Sequence, residues 1–131
     1  MNQKIFNNMS KFTSGYNKGF RMTFENGLSI SVQWGVGNYC EKQMNTNYDW
    51  NESTKHDFWS SNSAEIAVFN KEGSMIPITG YVLENTDGTE ENYTDVVSGW
   101  LSTNQVAKVI AIVSSAQTED EVIKKVKSLN L

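Results

Sequence analysis

A single cysteine, a single proline, a single arginine and a single histidine stand among the 131 residues. One cysteine makes no internal disulfide, which excludes the framework of a small secreted protein and places the expected setting in a reducing cytoplasm. One histidine, one cysteine and scattered carboxylates match no ligand spacing for zinc or a calcium loop, so neither metal nor other cofactor is expected. With Arg21 as the only arginine and a net charge of −4, the chain lacks the clustered cations that bulk nucleic acid requires. No stretch reaches the ~18 apolar residues of a membrane span. The opening MNQKIFNNMSKF has neither the apolar run nor the cleavage site of a signal peptide, so the expected protein is soluble and cytoplasmic.

What is present is an ordinary globular composition, 38% apolar and 20% charged, with a high aromatic share of 11%. Rings in excess of a core's needs often serve binding. The length fits one domain. Residues 1–17 are polar and rich in Asn and Lys, and are expected to form a loose arm unless Phe6, Met9 and Phe12 dock; residues 18–131 form the single expected domain.

In GFRMTFENGLSISVQW, Phe20, Met22 and Phe24 alternate with Arg21, Thr23 and Glu25, then Leu28, Ile30, Val32 and Trp34 alternate with Ser29, Ser31 and Gln33. A two-residue Asn26-Gly27 turn would place the two apolar sets on opposite faces. A three-residue loop, Glu25-Asn26-Gly27, with Gly27 left-handed in a bulge, pairs Phe24 with Leu28, Met22 with Ile30 and Phe20 with Val32, and gives one apolar and one polar face. A second hairpin is expected from SAEIAVFN and SMIPITGYV around Lys71-Glu72-Gly73, with Pro77 driving its second strand toward an edge. An acidic loop, ENTDGTEENYTD, and a fifth strand at VVSGW complete the strand region. The last third changes period: Val106, Val109, Ile110 and Val113 trace one helix behind a Ser102/Gln105 capping box. Val122, Ile123, Val126 and Leu129 trace another behind Thr118/Glu121. The fold expected is α+β, a mainly antiparallel sheet of about five strands with two C-terminal helices packed on one face.

Chemistry-bearing motifs are few. Gly35-Val36-Gly37 lacks the third glycine and the Lys-Ser/Thr ending of a phosphate loop, and reads as the corner where a strand turns. Cys40 would need a base, and only His56 is available, with no oxyanion feature nearby. No catalytic group is therefore assigned and no enzyme is expected. Lys124, Lys125 and Lys127 close a helix where cations complement the dipole, and Glu119, Asp120 and Glu121 open it for the same reason. Candidate ligand contacts are Arg21, whose fork suits phosphate but equally Glu25 or Glu65, with Thr23 and Gln33 on the same face. Asn38 and Tyr39 lie at the corner. Trp59, like Tyr48, Trp50 and Phe58, would stack on a base or fill a subunit contact. Ser102 and Thr103 open a helix whose free amides suit an anion, although capping alone explains them.

Taken together, GFRMTFENGLSISVQWGVGNYC, SAEIAVFN and SGWLSTNQVAKVIAIVSSA resemble small tailed-phage proteins of the Thoeris anti-defence sponge family, over roughly Gly19 to Ala116. The resemblance implies a homo-oligomer with ligand sites at subunit contacts, holding a cyclic ADP-ribose derivative or a cyclic oligonucleotide without cleaving it. It also makes Arg21 and Thr103 counterparts of phosphate-binding residues. The scarcity of arginine departs from what a multiply phosphorylated ligand requires, so backbone amides and Lys18, Lys42 or Lys108 would have to compensate. A different expectation is an inhibitor that covers a host defence protein with an acidic or aromatic surface.

Overall fold

The computed structural model describes residues 10–14, 19–43 and 59–131, with the side chains of 80–84 and 91–95 outside the description. Its centre is the first hairpin. β2 (Gly19–Thr23) and β3 (Ser29–Gln33) pair Phe20 with Val32 and Met22 with Ile30. The Phe24 amide donates to Leu28 O and the Gly27 amide to Phe24 O, both at 2.9 Å, and Gly27 has φ 85°. This is the bulged three-residue loop that face consistency demands.

β1 (Lys11–Thr13) lies within the stretch read as an arm and pairs antiparallel with β2. On the other side β4 (Ala64–Phe69) pairs with β3, and β7 (Val97–Leu101) pairs with β4. The resulting sheet has the order β1-β2-β3-β4-β7. Helices α1 (Thr103–Ser115) and α2 (Glu119–Ser128) follow, so the architecture is the α+β fold expected.

Two local expectations are corrected. The second hairpin stops almost as soon as it begins: Phe69 bridges Met75 and the Ile76 amide donates to Val68 O at 2.8 Å, after which the register would set Pro77 against Ala67. Proline has no N–H for the ladder; the chain leaves, and Val97 of β7 takes the place beside Ala67. The acidic stretch is no loop. β5 (Thr79–Glu84) and β6 (Glu90–Asp95) form a separate two-stranded sheet around a turn in which the Gly88 amide donates to Asn85 O and the Asn85 amide to Thr89 O.

Ile30, Ile66, Val68, Val109, Val113 and Val122 are completely buried between the sheet and the helices. Ser102 caps α1 with a full capping box to Gln105. Thr118 caps α2 through the Glu121 amide, while the Glu121 carboxylate reaches one residue further back, accepting from the Gln117 amide and from Lys125 Nζ, each at 2.8 Å. The amide first and Lys125 second hold that carboxyl below its ordinary value of 4.5. Its contribution is therefore full above the ordinary value and lost as pH falls through the lowered one. Replacing Glu121 by Gln is expected to flatten the acid limb of a urea-midpoint-against-pH curve; an unchanged acid limb would show that this carboxylate has no part in it.

Candidate functional sites on the two faces of the sheet

Alternation along β2 and β3 sends every second residue away from the helices. On that face Thr13, Arg21, Ser31 and Ala67 are cross-strand neighbours in one row, and Lys11, Thr23, Ser29 and Phe69 in the next. The Arg21 guanidinium carbon sits 4.0 Å from the centroid of the Phe69 ring, a cation–π contact that fixes the fork while leaving its edge N–H groups free of the ring. Thr23 Oγ1 and Ser29 Oγ lie 3.1 Å apart. Lys71 arrives from the next turn: its Cγ passes 2.7 Å from where a Cβ on Gly27 would stand, so only glycine admits it there.

These groups surround an open cavity of about 560 Å³, lined by Lys11, Arg21 and Lys71, the hydroxyls of Thr13, Thr23 and Ser29, and Asn70. Three of the chain's eleven Lys and Arg converge here, and no carboxylate lines the cavity among the described residues. Arg21 forms no ion pair with Glu25 or Glu65 among those residues. Glu65 is occupied elsewhere, by the corner.

That corner, Gly35 to Cys40, consumes its own polar groups. Asn38 is buried; its Oδ1 accepts from the Gly35 amide (2.9 Å) and its Nδ2 donates to Glu65 Oε1 (3.3 Å). The Tyr39 amide donates to Glu65 Oε2 at 2.8 Å, and the Trp100 amide of β7 to Tyr39 O at 2.8 Å. The amides of Gly35, Asn38, Tyr39 and Cys40 are thus engaged within the protein itself. Cys40 is fully buried with Sγ 3.6 Å from Gly35 O, and burial pushes its thiol up from the ordinary value, which favours the unreactive protonated form at neutral pH. Tyr39 and Trp100 themselves turn outward, 55% and 56% exposed.

On the helix face, Trp34 and Trp59 hold each other reciprocally. Trp34 Nε1 donates to Trp59 O (3.1 Å) and Trp59 Nε1 to Trp34 O (3.0 Å). Phe20 meets Trp34 edge-on with centroids 6.1 Å apart, and Lys42 Nζ stands 5.4 Å above Trp59. Between these rings and α1 lies a second cavity of about 420 Å³.

The residues singled out by sequence therefore do not meet in one place. Arg21 and Thr23 line the cationic cavity, and Trp59 and Thr103 line the apolar one across the sheet. Gln33 shares the face of Arg21 but bonds to Ser31 Oγ at 3.2 Å and lines neither cavity. Asn38 is a structural tie, Tyr39 lies outside both, and Ser102 is a helix cap. Tyr48, Trp50, His56, Phe58 and Lys18 lie outside the described residues. Lys42 and Lys108 are not in the cationic cavity; Lys11 and Lys71 are, and sequence reasoning missed both. Ser29 was within reach, since the derived register sets it opposite Thr23.

Comparison with known protein families, with curated proteins and with solved structures finds no match to this chain.

Proposed function

We propose that the chain is a phage-encoded anti-defence binding protein that sequesters a nucleotide-derived immune signal in the host cytoplasm, without cleaving it. The cationic cavity carries the reading. In a chain of net charge −4, a site that gathers the only arginine, two lysines and three hydroxyls, with no carboxylate among its described lining residues, suits a ligand bearing two or more phosphates. Arg21 would grip one phosphate bidentately, Lys11 and Lys71 would neutralise a second, and whichever of the hydrogen-bonded Thr23 and Ser29 hydroxyls keeps its proton free would donate to a bridging oxygen. Lys11 and Thr13 belong to β1, the edge strand of the sheet among the described residues, so a second copy docking there would complete the wall. This is how a homo-oligomer enters the reading. Competition with a host receptor sets the affinity scale near nanomolar, about −12 kcal/mol.

Titration with cyclic ADP-ribose isomers and cyclic di- and trinucleotides is the test. A member of the panel is expected to bind tightly and to be recovered intact after heating. Replacing Arg21 by Ala is expected to weaken it about 10- to 100-fold, the range of one or two charge-assisted hydrogen bonds, and replacing it by Lys to fall between, because an ammonium lacks the fork. Unchanged affinity in the folded Arg21→Ala protein would remove the cavity from the site.

A second reading, inhibition of a host defence protein by direct contact, is favoured by the exposed Tyr39–Trp100 pair, since rigid aromatic rings are common interface anchors. No binding across the panel, with co-purification of a host protein that Trp100→Ala abolishes, would select it.

A further inference from the structure

The cavity on the helix face differs in chemistry from the cationic one, and the sheet separates the two. None of its described lining residues carries a charge. Lys42 stands 5.4 Å from the Trp59 ring but does not line the cavity, so a phosphate placed there would lose water and meet no countercharge among the described lining residues, at a cost of several kcal/mol. We propose that this cavity is a second, independent ligand site, for an uncharged planar molecule of about two fused or linked rings.

Three observations support that occupant. The walls are aromatic and fixed: the reciprocal indole-to-carbonyl bonds between Trp34 and Trp59 satisfy both ring N–H groups, so the rings offer faces and edges rather than unmet donors, and Phe20 braces Trp34 from the side. Planar, neutral surfaces of this kind stack on planar, neutral ligands. The size, about 420 Å³, falls within the roughly 300–1,000 Å³ range of small-molecule pockets. The mouth is polar but uncharged. Thr103 is exposed at one side of it and Ser60 and Asn62 at the other, where they can bond to a ring nitrogen or carbonyl at the ligand's edge. Entry depends on α1, which presents Thr103 and, one turn later, Ala107 to the opening. A larger side chain at Ala107, itself exposed, would narrow it without entering the core.

The test uses N-phenyl-1-naphthylamine, a neutral multi-ring probe, followed by energy transfer from tryptophan. Saturable one-to-one binding is expected, weakened about tenfold or more, roughly 1.4 kcal/mol, by Ala107→Phe and unaffected by Arg21→Ala. Near-ultraviolet dichroism and thermal midpoint serve as controls that the folded state is being probed, since loosened proteins also bind such dyes. Should Ala107→Phe fail to fold, Thr103→Leu, at an exposed position of the mouth, replaces it with the same expectation. Absence of saturation, or equal affinity in the folded mouth variant, overturns the proposal. Because the probe carries no phosphate, its failure leaves the cationic site untouched, and failure of the nucleotide panel leaves this one untouched.

Discussion

Replacing Asn26 by Asp is expected to destabilise the protein by about 3 kcal/mol, although it exchanges one amide for an isosteric carboxylate. Asn26 sits in the first hairpin turn, where Oδ1 accepts from the Leu28 amide at 2.9 Å. Its Nδ2 donates to Val113 O (2.8 Å) and Ala116 O (2.9 Å) at the end of α1. That helix closes with Ala116 in extended backbone and carries no basic residue in its last turn, so a side chain from the sheet satisfies carbonyls that glycine caps usually serve. The substitution removes two donors, about 1 kcal/mol each, and sets a negative charge against the negative end of a helix, about another 0.3–1 kcal/mol. The midpoint of thermal unfolding should fall by about 10 °C. The sign with pH is opposite to that of Glu121. The introduced carboxyl is pushed up in the folded state, so the loss relative to wild type should grow as pH rises through its folded value and shrink in acid. A midpoint within a degree or two of wild type at neutral pH would show that the turn and α1 are not joined through this side chain.

The second large effect concerns Gly99. β7 pairs Ser98 with Ile66 and Leu101 with Ala64, so Gly99 and Trp100 together oppose Glu65 in a bulge, and Trp100 takes the left-handed conformation at φ 59°. A bulky residue there costs about 1–2 kcal/mol, and what offsets it is the bond from its amide to Tyr39 O. A Cβ on Gly99 would stand 2.5 Å from Tyr39 Cβ and 3.0 Å from Tyr39 O. Gly99→Ala must therefore push the corner away and break that bond, for a loss of about 2–3 kcal/mol. Trp100→Gly, by relieving the backbone, is expected to leave stability equal or raise it by up to about 1 kcal/mol. Urea unfolding of both variants measures the pair; an unaltered midpoint in Gly99→Ala would mean that Tyr39 yields freely.

The hairpin of β2 and β3 was legible to the residue because only one register keeps Phe20, Met22, Ile30 and Val32 on one face, and a buried face enforces register. Both helices were legible from caps and spacing. β5 and β6 were not, because acidic residues at Glu84, Glu90, Glu91 and Asp95 obscured a strand whose turn signal, Asp87-Gly88, stood in plain view. In the sites, Arg21 and Thr23 followed from alternation alone. Lys11 and Lys71 did not: one arrives through the pairing of β1 with β2, the other by lying across Gly27, and neither relation has a periodicity to read. Asn26 looked like a turn residue and is one. Its second role spans 87 residues to Val113, and no local pattern encodes it.

Three turns in this chain are the same object. Phe24 to Leu28, Asn70 to Ser74 and Asn85 to Thr89 each close with the first residue's amide donating to the fifth residue's carbonyl and the glycine amide donating to the first residue's carbonyl, and Gly27, Gly73 and Gly88 have φ of 85°, 85° and 83°. Such loops close within a few residues, on the microsecond scale of isolated hairpins. The joining of β4 to β7 and of Asn26 to α1 must instead bring distant segments together, which is slow. The chain is thus expected to cross its folding barrier with the turns already made, so that substitutions at the turn glycines slow refolding while Asn26→Asp chiefly hastens unfolding.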